Sequence, residues 1–212
     1  MSNDLYSTEP ADPAAFQAKF DRVYTRIGGL YDLAVKLLPV WRNWIRHALP
    51  HITGGRVLEV SFGTGYLLAQ YAGRFETHGL ELNARMVTIA KRNLQVRHQS
   101  AELLRGTVED LPYRDAFFDT VVSTMAFSGY PDGARAMSEL RRVLRPGGRL
   151  VLMDVNYPGD RNWLGMRLTR MWQRVGDLIR DMDKLLQVAG FQYSDTEIGG
   201  FGSVHLYVCH KR

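Results

Sequence analysis

Residues 57–72 read VLEVSFGTGYLLAQYA and combine three local patterns that decide the fold. A short apolar run that favours a strand leads into Gly63 and Gly65, and an apolar helical pattern follows at once. Glycine at a strand-to-helix turn tolerates a positive φ and lets a ligand lie against bare backbone. A dinucleotide fingerprint would need a third glycine at the position of Leu68. The two glycines are therefore also compatible with a tight turn that binds nothing.

Strand-like and helical patterns alternate along most of the chain. The strand candidates are RVLEVS, HGLEL, AELLRGT, FDTVVSTM, RLVLMDV and SVHLYVCH. Helical patterns are expected between the first five, such as NARMVTIAKRNL and PDGARAMSELRRVL. A turn at residues 145–148, RPGG, is expected to end a helix and release the next strand. This alternation predicts an α/β fold with a parallel sheet and helices on both faces.

Composition favours a globular protein without membrane spans. The chain has 212 residues, of which 45% are hydrophobic and 23% charged, and its longest apolar runs are far shorter than the ~20 residues of a span. Its first residues lack the basic and apolar regions of a secretory signal. The single cysteine, Cys209, excludes an internal disulfide and suits a reducing cytoplasm. We expect a cytoplasmic protein with an N-terminal arm and lid helices in residues 1–50 and one globular domain in residues 51–212.

The second strand candidate ends in an acidic residue. Glu81 follows the apolar run, and Asn83 and Met86 come next, at the start of a helix. A carboxylate at the tip of the second strand of such a sheet can accept both hydroxyls of a ribose. A polarizable methionine suits one face of an adenine ring. Taken singly, Glu81 is equally explained as a solvated carboxylate at a helix start and Met86 as a core residue.

Four segments together resemble a known family. VLEVSFGTG, GLELNARM, GTVEDLPYRDAFFDTVVSTMAF and ELRRVLRPGGRLVLMDV are similar, in this order, to the class I S-adenosylmethionine-dependent methyltransferases. Within that family they most resemble the branch of ubiquinone/menaquinone methyltransferases and bacterial phospholipid N-methyltransferases. The resemblance covers about residues 56–155, and the stretch with Tyr31 and Asp32 resembles the helical lead-in of that branch. It implies a Rossmann-like, doubly wound, mostly parallel seven-stranded sheet with an antiparallel last strand and a helical N-terminal extension.

The resemblance also implies S-adenosyl-L-methionine as the cofactor and a set of residues around it. Glu59 would reach the amino group of the methionine moiety, and Glu81 would hold the ribose hydroxyls. The backbone amide of Val108 would face a ring nitrogen of adenine. The implied cofactor-binding residues are Tyr24, Tyr31, Glu59, Ser61, Gly63, Gly65, Glu81, Leu82, Asn83, Met86, Thr107, Val108, Glu109, Asp110, Ser123 and Thr124.

Two positions depart from the family pattern. Where Ser61 stands the family usually has glycine, and we expect binding to survive because serine is small and its hydroxyl can donate to the cofactor carboxylate. Where Thr107 stands the family often has an aspartate that accepts from the adenine amino group. A threonine hydroxyl accepts without charge, so Glu109 or Asp110 is expected to take over this contact.

Methyl transfer needs positioning more than side-chain chemistry. Holding a nucleophile at near-attack distance from an electrophilic methyl can supply about 7–11 kcal/mol. An amine must arrive deprotonated, and a phenol or carbon acid is helped by a base. The candidates at the predicted strand tips are Asp154, Tyr157 and Tyr130, each of which is also explained as an ordinary cap or rim residue.

Other chemistries find no support in the sequence. STMAFSGYPD lacks the [Asn/Asp]-Pro-Pro-aromatic motif of DNA-amine methyltransferases, and no RNA-binding module is recognisable, so no nucleic-acid partner is expected. No metal is expected either, because His47 and His51 are four residues apart but separated by Pro50.

Two basic amphipathic segments bear on the substrate. The first segment has an apolar stripe formed by Leu37, Leu38, Val40, Trp41, Trp44, Ile45 and Leu49. The second has a basic face with Arg167, Arg170 and Arg174, and its opposite, apolar face consists of Leu164, Leu168, Met171, Trp172 and Val175. With a net charge of +5, such helices could bind peripherally to an anionic membrane, on its inner face, or simply cover the sheet. Three functions stay open: methylation of a lipid-like or amphiphilic acceptor, such as a phospholipid ethanolamine or a quinone precursor, at a membrane surface; methylation of a small soluble metabolite; and a non-catalytic cofactor-binding or RNA-directed role.

Overall fold

The computed structural model describes residues 5–37 and 39–212, without the side chains of Tyr24 and residues 27–37. The strands are β1 (Arg56–Val60), β2 (Glu76–Glu81), β3 (Glu102–Arg105), β4 (Phe118–Thr124), β5 (Leu144–Val155), β6 (Phe191–Gly199) and β7 (Val204–Lys211). The helices are α1 (Pro13–Leu37), α2 (Pro39–Arg46), α3 (Leu68–Tyr71), α4 (Ala84–Val96), α5 (Gly133–Val143), α6 (Trp163–Val175) and α7 (Met182–Val188). Short 3-10 helices span Leu49–His51, Ala72–Arg74 and Phe127–Gly129.

The described strands form one seven-stranded sheet in the order β3-β2-β1-β4-β5-β7-β6. β1 pairs in parallel with both β2 and β4, and β7 is antiparallel to both β5 and β6. The expected doubly wound sheet with an antiparallel last strand is confirmed. The strand order reverses between β1 and β4, and in open sheets of this type ligands bind beyond the carboxyl ends of the strands at that point.

Two apolar layers hold the helices against the sheet. Along β5, Leu150 and Leu152 point into one layer, whereas Val151 and Met153 point into the other. Successive strand residues face opposite sides, so near-continuous apolar strands bury both faces. α5 and α7 cover the first layer, and α2, α3 and α4 cover the second.

Two local expectations were wrong. Residues 106–117, between β3 and β4, contain no helix, because this segment carries loop signals rather than a helical period. The RPGG residues do not form a separate turn but lie inside β5, which begins at Leu144 directly after α5. Pairing between β4 and β5 is irregular here, and Gly147 adopts a φ of 74°, so the strand accommodates them as a bulge.

β6 is the strand that the sequence patterns did not locate. Its residues FQYSDTEIG are mostly polar, and only Phe191 is fully buried. It forms because β7 offers it a free edge and pairs with it from Phe191 to Gly199. Tertiary pairing has outweighed local preference at this sheet edge.

Candidate functional site

One cavity lies beyond the carboxyl ends of β1, β2 and β4, where the strand order reverses. With its open side included it has a volume of about 1140 Å³, and it is lined by α1, α2, the loops that follow β1 to β4, and the loop after α6. From the expected set, the lining contains Glu59, Ser61, Gly63, Glu81, Leu82, Asn83, Met86, Thr107, Val108, Glu109 and Thr124, together with Tyr130. The topology therefore brings most of the sequence-predicted residues to one place.

The loop after β1 is held in a left-handed backbone conformation. Ser61, Gly63 and Gly65 have φ angles of 51°, 54° and 70°. The Ser61 amide donates to the Leu80 carbonyl at 2.7 Å, so the first of these residues is fixed to β2. A serine in this region of φ carries strain that glycine would avoid.

Gly65 is needed for packing. It does not line the cavity, and a Cβ built on it would lie 2.9 Å from the Ala90 Cβ of α4. The role of Gly65 beside the ligand stays a prediction, while its packing role is seen directly. Its missing side chain lets α4 approach the loop.

Glu81 is a buried carboxylate that organises two loops. Its Oε2 accepts from the Gly63 amide and its Oε1 from the Asn83 amide, both at 2.9 Å. Burial raises the pKa of Glu81, and the backbone amides partly offset this rise. Each carboxylate oxygen keeps a second lone pair, so the side chain still has capacity for the two hydroxyls of a ribose.

Asn83 joins the loop after β2 to α1. Its Oδ1 caps α4 by accepting from the Met86 amide at 3.0 Å, and its Nδ2 donates to Asp21 Oδ1 and Thr25 Oγ1. α1 thus lies across the cavity on the side of the expected nucleoside. Tyr24 and Tyr31, which were expected to close over the cofactor, have side chains outside the described part of the structure.

Glu59 lies at the buried end of the cavity. It is 1% exposed, and Tyr71 Oη donates to its Oε2 at 2.8 Å. Burial raises the pKa of Glu59 to about 8, against the opposing effect of that hydrogen bond. A carboxyl group in this state suits a ligand that brings a positive charge, because pairing restores its ionised form.

The loop after β3 supplies a buried acceptor. Thr107 Oγ1 donates to Glu109 Oε2, while Glu109 Oε1 is buried and has no hydrogen-bond partner among the described residues. Arg135 Nε donates to the Glu109 carbonyl at 2.7 Å and fixes the loop. Asp110 is exposed and lies outside the cavity lining. Of the two acids expected to replace the missing aspartate, Glu109 is the one placed to accept a hydrogen bond from a ligand.

The end of β4 contributes a hydroxyl network. Thr124 lines the cavity, whereas Ser123 lies behind it, fully buried. The Tyr130 hydroxyl donates to Ser61 Oγ at 3.0 Å and lies 3.3 Å from Ser123 Oγ. Burial raises the pKa of Tyr130 far above its ordinary value, so it stays a neutral hydroxyl.

The other two base candidates do not reach the cavity. Asp154 accepts from the Ser128 amide and hydroxyl and from the Val155 amide, and these bonds occupy its carboxylate in the core. Tyr157 donates to Gln173 Oε1 at 2.9 Å and lies outside the lining. The side chain of Asp154 turns toward the core and that of Tyr157 toward α6, so neither is placed to act as a base in this cavity.

Several lining residues were missed by the sequence patterns. They are Gln17, Phe20, Asp21, Phe62, Thr64, Tyr66, Leu67, Gly106, Met125, Ala126, Ser128, Gly129, Pro131 and Asp177, with Trp41 and Ile45 expected only as members of an apolar stripe. Most are neighbours of predicted residues on the same loops. No sequence pattern pointed to Asp177, because it is a single acidic residue in a loop far along the chain from the other lining residues.

α6 carries a basic surface. Its buried face consists of Gly165 and Thr169, and the predicted apolar face is largely exposed. We call the exposed residues of this region the α6 surface: Arg161, Trp163, Leu164, Arg167, Arg170, Met171, Arg174 and Val175. None of its four arginines forms an ion pair with any described carboxylate. The Trp172 ring lies 6.5 Å from the ring of Trp41, which lines the cavity.

Neither a metal-binding cluster nor a membrane-spanning helix is found among the described residues. Across residues 5–37 and 39–212, no cluster of three or more histidine, cysteine or acidic side chains is arranged to hold a metal ion. No helix in that part of the chain is both long and apolar enough to cross a bilayer.

Fold and site together define a doubly wound protein that binds a nucleoside-containing ligand. Glu59 is buried near the end of β1, Glu81 ends β2, and after β3 the Oε1 atom of Glu109 has no hydrogen-bond partner among the described residues. These three acids are the ones that the family resemblance assigns to the amine, the ribose and the adenine.

Comparisons with known proteins agree. A family model described as a methyltransferase domain matches residues 58–152. The demethylmenaquinone methyltransferase of Thermus thermophilus is 31% identical over 161 residues, covering 72% of this chain and 73% of that protein. That of Thermotoga maritima is 30% identical, covering 68% and 65%. The chain thus spans slightly less than two thirds of the Thermotoga relative.

Solved structures show the same fold. A SAM-dependent methyltransferase from Thermotoga maritima superposes with a TM-score of 0.73 at 19% identity, covering 90% of this chain and 99% of that one. One from Clostridium acetobutylicum gives a TM-score of 0.68 at 12% identity, covering 89% and 99%. The chain belongs to the class I S-adenosylmethionine-dependent methyltransferases, near the ubiquinone and menaquinone C-methyltransferases. The cofactor of this family is S-adenosyl-L-methionine.

Proposed function

We propose that this chain methylates the ring of an amphiphilic quinone precursor in its reduced, hydroquinone form, at the surface of an anionic membrane. The observation that carries the proposal is the contact between Trp41, in the cavity lining, and Trp172 of α6. This contact joins the cavity wall to the helix that carries the α6 surface. A substrate could then keep its polar ring in the cavity while its apolar tail stays in the bilayer.

The cofactor-binding half of the cavity supports methyl transfer. Bound S-adenosyl-L-methionine supplies an electrophilic methyl group on a sulfonium. The chain's own residues then bind and orient: Glu59 faces the amine, Glu81 the ribose and Glu109 the adenine. α1 covers this half and excludes water, as its bonds to Asn83 and the bond from Gln17 Nε2 to Thr107 Oγ1 at 3.1 Å indicate.

The acceptor half of the cavity is largely apolar and aromatic. α2 contributes Trp41 and Ile45, and the segment after β4 contributes Met125 and Ala126. A flat aromatic ring suits such walls better than the charged ethanolamine of a phospholipid. Relatives named demethylmenaquinone methyltransferases favour the same choice of acceptor.

The α6 surface supports docking at a membrane. Trp163 is 69% exposed, Met171 46% and Val175 63%, so apolar side chains stand in solvent among four arginines. Tryptophan with arginine on one helix face is typical of helices that lie in the interface of anionic bilayers. Each basic side chain near such a surface contributes about 1 kcal/mol.

The test is a transfer assay with methyl-labelled cofactor. One arm offers a prenylated 1,4-naphthohydroquinone kept reduced in phosphatidylglycerol vesicles, a second offers phosphatidylethanolamine vesicles, and a third offers the unprenylated naphthohydroquinone in solution. We expect label in the prenylated ring and at least about tenfold less in the other arms. Label in phosphatidylethanolamine alone would change the acceptor to a phospholipid amine, and equal labelling of the unprenylated ring would remove the membrane from the proposal.

A further inference from the structure

Asp177 is an acid of the cavity that the cofactor site does not use. It lies in the loop after α6, partly buried, and lines the cavity together with Ser128 and Tyr130. Its position is fixed by the backbone, because its amide donates to the Trp172 carbonyl at 3.1 Å and the next amide, of Leu178, donates to the Ser128 carbonyl at 2.7 Å.

Asp177 and Asp154 meet at one hydroxyl group. Ser128 Oγ lies 3.0 Å from Asp177 Oδ1 and 2.9 Å from Asp154 Oδ1. A serine hydroxyl has one hydrogen, so it can donate to only one of the two carboxyl groups at a time. Both contacts become hydrogen bonds only when one carboxyl group carries a proton and donates it to Ser128.

The surroundings decide which acid holds that proton. Asp154 also accepts from the amides of Ser128 and Val155, at 2.8 and 2.7 Å, and these donors stabilise its ionised form. The carboxyl group of Asp177 has only the Ser128 hydroxyl as a hydrogen-bond partner among the described residues. Of the two acids, Asp177, at the cavity wall, is therefore the one that takes up a proton more readily.

The charges around the pair favour the same assignment. Burial, followed by the charge of Asp154, raises the pKa of Asp177 to about 6. Burial raises the pKa of Asp154 as well, but the backbone amides and the Ser128 hydroxyl oppose that rise, whereas Asp177 has only the Ser128 hydroxyl to oppose it. The remaining acids of the cavity lining are Asp21, Glu59, Glu81 and Glu109.

We propose that Asp177 is the catalytic base, which takes the proton of the acceptor's hydroxyl during methyl transfer, while Ser128 and Asp154 position it. This inference rests on the proposed function. As the ring carbon–methyl bond forms, the methyl–sulfur bond breaks with its electron pair passing to sulfur, and the hydroxyl proton passes to the Asp177 carboxylate. The hydrogen on the methylated carbon then moves to the ring oxygen, and Asp177 releases its proton to solvent.

The test compares Asp177→Asn, Ser128→Ala and, as a matched control, Asp183→Asn on the exposed side of α7. With the prenylated naphthohydroquinone, we expect the parent kcat to rise between pH 5 and 7 with a midpoint near 6. Asp177→Asn should lower kcat by about 10²–10⁴-fold and remove this pH dependence. KM for the naphthohydroquinone and the calorimetric Kd for S-adenosylhomocysteine should change less than about threefold, since a carboxamide keeps the shape of the site. Asp183→Asn should match the parent, and Ser128→Ala should move the midpoint.

Two outcomes would overturn the role of Asp177: an Asp177→Asn variant that keeps the pH dependence, or one that loses affinity for S-adenosylhomocysteine in step with kcat. A parent that is inactive on the naphthohydroquinone would remove the proposed acceptor instead. Carbon-13 NMR of the aspartate carboxyl groups then tests the protonation of Asp177 independently of activity. A resonance that titrates near pH 6, is absent in Asp177→Asn and shifts its midpoint in Ser128→Ala supports the proton-holding pair, and its absence from the parent refutes it.

Discussion

Asn83 and Asp21, which are 62 residues apart in sequence, are joined by a hydrogen bond of 2.8 Å between Asn83 Nδ2 and Asp21 Oδ1. The same asparagine caps α4 through its other side-chain atom. One side chain therefore fixes both the entrance to α4 and the helix that covers the cavity.

Replacing Asp21 with alanine should loosen α1 without disturbing the α4 cap. A hydrogen bond of this kind contributes about 0.5–1.5 kcal/mol, so the dissociation rate of S-adenosylhomocysteine should rise by about 2- to 12-fold. Stopped-flow tryptophan fluorescence measures that rate. Arg22→Ala, on the exposed side of the same helix, is the control and should dissociate at the parent rate. An unchanged rate in Asp21→Ala would show that α1 does not retain the ligand.

Glu59 should make cofactor binding depend on pH. Since the pKa of Glu59 is raised to about 8, the group is mostly protonated at pH 6 to 7, and an ammonium-bearing ligand must first displace that proton. Affinity for S-adenosylhomocysteine should therefore increase as the pH rises toward 8, approaching about tenfold per pH unit. Calorimetry from pH 6 to 8 measures this, and Glu59→Gln should bind weakly and independently of pH.

The raised pKa of Glu59 should also make the ligand-free protein less stable as the pH rises, whereas its affinity for the ligand increases. The folded state keeps a proton on Glu59 up to about pH 8, whereas the unfolded chain releases it near the ordinary value of 4.5. The contribution of Glu59 to the free energy of unfolding therefore falls as the pH rises through that window. Ligand-free Glu59→Gln should melt at a higher temperature than the parent at pH 8, and an equal Tm at pH 8 would contradict the raised pKa.

Glu81→Ala should lose both the ribose contacts and the two backbone hydrogen bonds that this carboxylate accepts. Hydrogen bonds to a charged group contribute about 1.5–3 kcal/mol each, so affinity for S-adenosylhomocysteine should fall by more than about tenfold. Glu81→Gln keeps the shape and one acceptor oxygen and should lie between the parent and the alanine variant. Calorimetry that finds all three proteins equal would remove Glu81 from the site.

Gly65→Ala should cost stability more than affinity. The new Cβ would meet the Ala90 Cβ, and a residue with φ of 70° is strained, which together costs about 1–3 kcal/mol in the free energy of unfolding. Adding Ala90→Gly should relieve the steric part only. Urea unfolding measures both variants, with the Kd of the folded protein as a second readout. A stable Gly65→Ala protein that no longer binds would restore the direct contact with ligand that the sequence suggested.

Replacing Arg167, Arg170 and Arg174 with glutamine should weaken docking to anionic vesicles. At about 1 kcal/mol for each charge, the partition coefficient should fall by about two orders of magnitude and should fall for the parent as salt is added. The matched control replaces Lys91, Arg92 and Arg97, which are exposed on or beside α4. Sedimentation with phosphatidylglycerol vesicles compares the two triple variants. Equal losses would mean that net charge, and not the α6 surface, causes the binding.

The sequence predicted the sheet because buried parallel strands are continuous apolar runs with an unmistakable composition. It also indicated that Glu81 lies at the ligand-binding edge, because the tips of parallel strands meet there, whereas Glu59 was expected there from the family resemblance alone. It did not predict β6, because the residues of this strand are mostly polar. Pairing with β7, and not the composition of β6, holds it in the sheet. It could not place Asp177 either, because that loop is fixed by backbone bonds to Trp172 and Ser128, distant in sequence.

For α6, the sequence predicted the helix but not the face that is buried. Its periodicity identified a helix correctly but left open whether the apolar face would cover the sheet; that face is largely exposed, and the small residues Gly165 and Thr169 face the core. Gly165 is close to the Phe201 carbonyl and Thr169 donates to the Asn156 carbonyl at 2.8 Å, so close backbone approach decided the orientation. Hydrophobic periodicity gives the stripe but not the surface against which it will lie.

The hydrogen bond from Tyr130 to Ser61 depends on a side chain at a strained backbone position. Glycine at position 61 would relieve the strain of a φ of 51°, but it would also remove the oxygen that accepts the Tyr130 hydroxyl at 3.0 Å. Only the Ser123 hydroxyl, at 3.3 Å, would then be left to receive it. Glycine at position 61 would therefore gain backbone freedom and leave the Tyr130 hydroxyl with one neighbouring hydroxyl in place of two.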